Sequence, residues 1–106
     1  MLKFPLMRFK IVDKSMEPEF KEGDFVVASS ISYMFRKPKG GDIIILKHPE
    51  NKKMILIKKI EQDLENGKYM VIGNNKELST DSRKFGPVDR EDIIGEVIVH
   101  IKKDSE

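Results

Sequence analysis

Two short segments far apart in the chain carry the residue types of a nucleophilic centre. They are Ser15-Met16-Glu17-Pro18 near the start and Ile57-Lys58-Lys59-Ile60 in the middle. A serine hydroxyl is a weak nucleophile at neutral pH and needs a base beside it. Lysine can be that base only while uncharged, and its ordinary pKa of about 10.4 keeps it protonated. Burial in an apolar site disfavours the ammonium and lowers that value. The chemistry therefore asks for a lysine on an apolar face with no carboxylate beside it.

Side chains alternate across a strand. On that rule Lys58 shares a face with Met54, Leu56 and Ile60, whereas Lys59 shares the other with Ile55, Ile57 and Glu61. A carboxylate two residues away would hold Lys59 charged, so Lys58 is the better base. The competing reading puts both lysines at a strand end with their ammonium groups in water. Pro18 disfavours helical geometry at Glu17 and favours a turn. Such a turn can present the Ser15 hydroxyl and a backbone N–H to a carbonyl, or can simply expose a serine. Met16, Phe20 and Phe25 are candidates for lining a substrate pocket and equally for the core. His48 and His100 have no second ligand in register, so no metal site is expected, and no cofactor is expected either.

The elements that would position these residues are short. Apolar, β-branched runs at 9–12, 25–28, 43–46, 54–57, 69–72 and 93–101 are separated by turn signals such as Gly23-Asp24, Gly40-Gly41-Asp42, Pro49-Glu50-Asn51 and Asn66-Gly67. Runs of this length bounded by Gly, Pro, Asn and Asp read as strands. The intervals are too short for long helices, so the expected fold is mainly β: a small antiparallel barrel or coiled sheet. Helix is expected only locally, at 31–35 and 89–93. The Gly-Asp pairs at 23–24 and 41–42 read as turn chemistry.

With 106 residues the chain suits one domain, residues 1–106. Hydrophobic residues at 39% and charged residues at 36% give a soluble globular balance. A net charge of +2 with both signs interspersed argues against a nucleic-acid partner. The absence of cysteine excludes disulfides, thiolate zinc sites and a cysteine nucleophile. No apolar run approaches the ~20 residues that cross a bilayer. The stretch Met1–Arg8, broken by Lys3, Pro5 and Arg8, is no secretory signal. The expectation is a soluble, cytoplasmic protein, or a membrane-peripheral one if an anchor precedes it or a membrane partner exists.

A third segment reads Gly73-Asn74-Asn75-Lys76-Glu77-Leu78-Ser79-Thr80-Asp81-Ser82-Arg83-Lys84-Phe85-Gly86. Together with Ser15-Met16-Glu17-Pro18, Gly23-Asp24 and Lys58-Lys59, it resembles the type I signal peptidase family in order and approximate spacing over residues 11–99. The resemblance implies a β-rich catalytic core that hydrolyses a peptide bond in a precursor protein through a Ser-Lys dyad and an acyl-enzyme. It implies Ser15 as nucleophile, Lys58 as general base, and Ser79 as the hydroxyl that orients the lysine. Asp81 and Arg83 take the place of a supporting pair. Met16 and Pro18 fall where substrate is contacted, and the partner would be an extended peptide segment with small residues before the scissile bond. The short form is closest to compact members without a membrane anchor or a large second β-domain.

Three departures matter. Asp13 stands where many members carry a serine that helps the oxyanion hole, Lys59 stands where arginine is usual, and Asn74 replaces an aspartate. A carboxylate at 13 would repel a developing oxyanion, so Asp13 is expected to turn away and leave the hole to backbone N–H groups, chiefly that of Ser15. The alternative is a peptide-binding β-domain of the same fold with weak or no activity.

Overall fold

A computed structural model of the chain describes residues 5–103. Residues 1–4, half of the Met1–Arg8 stretch, and 104–106 lie outside the described residues.

The fold is mainly β. Seven strands, β1 (Leu6–Lys10), β2 (Phe25–Ser29), β3 (Ile43–His48), β4 (Asn51–Asp63), β5 (Lys68–Ile72), β6 (Val88–Asp89) and β7 (Ile93–Ile101), form one antiparallel sheet. Its order is β1-β2-β7-β3-β4-β5-β6. Of the two expected forms, the closed barrel is not found: β1 and β6 are the two ends of an open sheet among the described residues. Helix is confined to two four-residue pieces, α1 (Ser32–Phe35) and α2 (Ser82–Phe85), and to 3-10 turns at Lys76–Leu78 and Arg90–Asp92. No helix among the described residues is long and apolar enough to cross a membrane.

Each face of the sheet buries its own apolar cluster. One gathers Ile44, Leu46, Leu56, Ile60, Val71 and Val88 under Tyr33 and Tyr69. The other gathers Ile11, Met16, Phe20, Val26, Ala28, Ile45 and Ile57. Consecutive residues of β3 and β4 therefore serve opposite clusters, which is why both strands read as near-continuous apolar runs.

The two Gly-Asp pairs build one turn twice. Gly23 and Gly41 have φ of 95° and 96°, a region that favours glycine. In each turn the aspartate N–H donates back to a lysine carbonyl, Asp24 to Lys21 at 3.0 Å and Asp42 to Lys39 at 3.1 Å. The carboxylate in turn accepts that lysine's N–H, at 3.0 Å from Lys21 and 3.2 Å from Lys39. Each aspartate is thus locked at the entry to β2 or β3.

β4 is much longer than the apolar run at 54–57. Its charged second half is held on one side by β3 as far as Lys59 and on the other by β5 from Lys59 to Asp63. Tertiary pairing sets its length more than residue preference does.

Candidate active site

The chain leaves β1 through Ile11, whose N–H donates to Asp24 O at 2.7 Å, and enters a turn at residues 13–20. Ile11, Met16 and Phe20 pin that turn into the core, and the Phe20 N–H closes it onto Met16 O at 2.9 Å. The Glu17–Pro18 peptide is cis. Ser15 is only 1% exposed. Met16 is wholly buried, so its side chain belongs to the core and offers no free surface, whereas Pro18 is exposed.

Asp13 does not turn away. Its Oδ1 accepts both the Ser15 N–H at 3.1 Å and the Ser15 hydroxyl at 3.0 Å. The cause is local: a carboxylate two residues before an amide closes a side-chain turn onto the nearest free donors. The rest of the Asp13 side chain faces solvent.

Lys58 sits in the middle of β4, directly opposite Ile44 of β3. Opposed residues share a face, so Lys58 points into the cluster of Ile44, Leu56 and Ile60 and is 1% exposed. The reading with both ammonium groups in water fails for Lys58, while Lys59 is half-buried on the other side. Burial drives the Lys58 pKa below the ordinary lysine value. The charges of Asp13 and Asp81 pull it back up, and Arg83 pushes it down. A site free of carboxylates is thus not what surrounds it. β4 itself brings none to that face, but the turn before Ser15 and the segment after β5 each bring one. Among the described residues Lys58 Nζ makes no hydrogen bond to Ser15 or Ser79.

The third segment closes around the first. Lys59 pairs with Ile72, so one residue further along the ladder Gly73 comes level with Lys58. A Cβ on Gly73 would collide with the Ser79 hydroxyl and lie 2.7 Å from Ser15 O. The bare backbone at 73 is what lets both serines reach this spot. The Ser15 carbonyl is also held by the Asn75 N–H at 2.8 Å. Asn74 donates to Met16 O at 3.3 Å and to Glu19 at 3.2 Å, tying the two loops together a second time.

Asp81 is the hub beneath them, with no exposure at all. It accepts the Gly73 N–H at 2.8 Å and the Ser79 hydroxyl at 2.8 Å. Arg83 adds its N–H at 3.0 Å and its guanidinium at 3.1 and 2.5 Å. Burial alone would raise the Asp81 pKa, but the donors from Arg83, Gly73 and Ser79 outweigh it and hold the carboxyl well below the usual range. Asp81 also caps α2, and Gly86, with φ of 81°, ends it. Ser79 thus donates to Asp81 and not to Lys58.

A groove of about 150 Å³ runs beside this assembly, lined by Phe9, Ile11, Val12, Asp13, Ile55 and Ile57 among others. Val12 and Ile55 are exposed there. A larger hollow of about 410 Å³, lined by Tyr33, Arg36, Tyr69 and Arg90, contains none of the motif residues. His48 stacks on Phe85, with ring centroids 4.8 Å apart. His100 Nε2 lies 2.7 Å from Asp24. Among the described residues no group of three His, Cys, Asp or Glu is placed to hold a metal.

Sequence reasoning missed the bond from Asp13 to Ser15 and the packing role of Gly73. The first had a signal, a carboxylate two residues before a turn serine. The second had one in the glycine that ends an apolar strand.

The family described as signal peptidase, peptidase S26, matches this chain over residues 1–61 and 59–101. Signal peptidase I V of Bacillus subtilis (strain 168) is 23% identical over 137 residues, covering 82% of this chain and 80% of that protein. Signal peptidase IB of Staphylococcus aureus (strain Mu50 / ATCC 700699) is 55% identical over 31 residues, 29% of this chain and 16% of that protein. The same figures hold for its counterpart in strain N315.

Proposed function

Since the chain belongs to the signal peptidase family, peptidase S26, which supports a peptidase acting on a peptide substrate, we propose that it is a serine endopeptidase. It cleaves a precursor protein at a signal peptide or N-terminal propeptide through a Ser15–Lys58 dyad. The observation that carries this reading is the placement of Lys58. Its side chain is buried on an apolar face, and the charges acting on it are those of Arg83 and of the carboxylates bonded to Ser15 and Ser79.

Neutral Lys58 takes the hydroxyl proton as Ser15 Oγ attacks the scissile carbonyl carbon, and the Ser15 N–H receives the oxyanion. The C–N bond breaks as Lys58 passes that proton to the leaving amine. Water then adds to the acyl-enzyme, Lys58 taking its proton and returning one to Ser15 Oγ. Ser79 and Asp81 fix the floor of the site, and Arg83 neutralises Asp81. The substrate lies extended in the groove beside residues 9–13 and 55–57, adding main-chain bonds as an extra strand. Small side chains before the scissile bond are what the family resemblance implies.

The test is acylation of the intact protein by a serine-reactive β-lactam, read by intact-mass spectrometry and peptide mapping. Labelling at Ser15 that is lost in Ser15→Ala and Lys58→Ala is the expected result. Undiminished labelling or precursor cleavage in either variant removes the dyad. The second reading, a peptide-binding domain with little activity, draws on the hold of Asp13 on Ser15. Peptide binding without any labelling would favour it.

A further inference from the structure

We propose that Asp13 is a displaceable cap on the nucleophile, so that the resting site is self-inhibited and the substrate's own carbonyl must evict the carboxylate before Ser15 can attack. This inference rests on the Ser15–Lys58 reading above. One oxygen, Asp13 Oδ1, holds the two groups that catalysis needs free. The Ser15 N–H at 3.1 Å is the donor for the oxyanion, and the Ser15 hydroxyl at 3.0 Å carries the proton owed to the base.

A carboxylate is a stronger acceptor than a neutral peptide carbonyl, so the cap wins in the empty site. Once the tetrahedral intermediate forms, a carboxylate left in place would set two negative oxygens side by side. Release is sterically open, because Asp13 faces solvent while Ser15 is buried. Asp13 also lines the groove, and it is the residue that bonds Ser15. A peptide lying in the groove therefore touches the exposed cap, while Ser15 stays buried behind it.

The cap acts on the base as well. The charged groups acting on Lys58 are Asp13 from the turn after β1, Asp81 from the segment after β5, and Arg83 from α2. Of the two carboxylates that favour its protonated form, Asp81 is fully committed to internal donors, while Asp13 is the one at the surface. Moving Asp13 away frees the serine and eases proton loss from the lysine in one motion.

The experiment compares wild type with Asp13→Asn, Asp13→Ser and Asp13→Glu, reading the second-order rate of Ser15 acylation by the same β-lactam from pH 6 to 10. Asp13→Asn and Asp13→Ser are expected to label about tenfold faster or more, with the rising limb of the pH profile moved to lower pH. Asp13→Glu, which keeps the charge, keeps the limb near its wild-type position. A residue that merely shapes the turn would change the rate without moving the limb. Labelling of wild type at Ser15 with neutral variants that are equal or slower overturns the cap and leaves the dyad standing. Labelling lost in Asp13→Asn but kept in Lys58→Met makes Asp13 the base and overturns both. So does a chain in which no variant labels at Ser15.

Discussion

Gly73 and Ser79 occupy one space: a side chain on the first would coincide with the hydroxyl of the second. The same bare Cα faces the Ser15 carbonyl, 2.7 Å from where a Cβ would stand. The turn that holds Ser15 and the segment from Gly73 to Ser79, far apart in the chain, are thus keyed together at a point level with Lys58. The keying is steric, and it is reinforced by the Asn75 N–H on Ser15 O and the Gly73 N–H on Asp81.

Gly73→Ala is expected to cost stability and acylation together. One neighbour is backbone, the Ser15 carbonyl, and cannot rotate aside. Overpacking of this kind costs about 1–3 kcal/mol. Chemical denaturation should show that loss, and β-lactam acylation of the folded fraction should fall at least about tenfold, because the displaced carbonyl belongs to Ser15, the proposed nucleophile. A variant as stable and reactive as wild type would mean the loop relaxes freely and the two stretches are not keyed there.

Asp81→Asn strips the charge from a carboxylate that serves Gly73, Ser79 and Arg83 at once. Breaking a buried pair from one side costs about 3–5 kcal/mol. Arg83 keeps partial access to water, with 37% of its side chain exposed, so about 2–3 kcal/mol is the expected loss after solvent screening. Urea denaturation at pH 7 measures it. Arg83→Ala should cost at least as much, because it leaves a wholly buried Asp81 carboxylate without its counter-charge and with fewer donors.

The strands and the burial of Lys58 ahead of Lys59 were legible in the sequence because both depend on period-two alternation, which pairing preserves. Lys58 falls between Leu56 and Ile60 whatever surrounds the strand. What lay beyond the sequence came from other elements. Asp13 and Asp81 approach Lys58 from a turn and a loop that strand parity says nothing about. The two-residue β6 and the four-residue α2 are too short to carry a period; pairing with β5 and the Asp81 cap define them. The open sheet was also hidden, since closure depends on whether the end strands meet and not on any one strand's pattern. Met16 had two readings in the sequence, and its complete burial places it with the core.

Acid should unfold the protein through Asp24 and Asp81. Burial would raise the Asp24 pKa, but the Lys103 and Lys21 N–H groups and His100 outweigh it and bring it down from 3.8 to about 2. Asp81 is lowered as well. A carboxyl depressed in the folded state contributes stability that is present above its unfolded pKa and lost as pH falls through the folded one. The melting temperature should therefore hold from pH 7 to about pH 5 and drop steeply from about pH 4 to pH 2. Asp24→Asn should melt lower than wild type at pH 7 and converge on it near pH 2. Parallel curves over the whole range would show that Asp24 gains nothing from its donors.

Lys58→Met is expected to abolish acylation and yet stabilise the fold. Burial lowers the Lys58 pKa, so between the folded and unfolded values the unfolded chain binds the extra proton and stability rises with pH. Below the folded value the protein carries an ammonium on a side chain that is only 1% exposed. Methionine has a similar reach and fits the neighbouring Ile44, Leu56 and Ile60 without that penalty. Replacing a buried charge with a hydrophobic residue of like volume is commonly neutral to stabilising, here by about 1 kcal/mol or more at pH 7. The gain should shrink as pH rises toward 10, because the wild-type amine then becomes neutral in the folded state. Denaturation of both proteins at pH 7 and pH 10 tests this. A Lys58→Met variant less stable than wild type at pH 7 would mean that the ammonium is held by Asp13 and Asp81 as a structural ion, and a base assigned to that amine would have to be sought elsewhere.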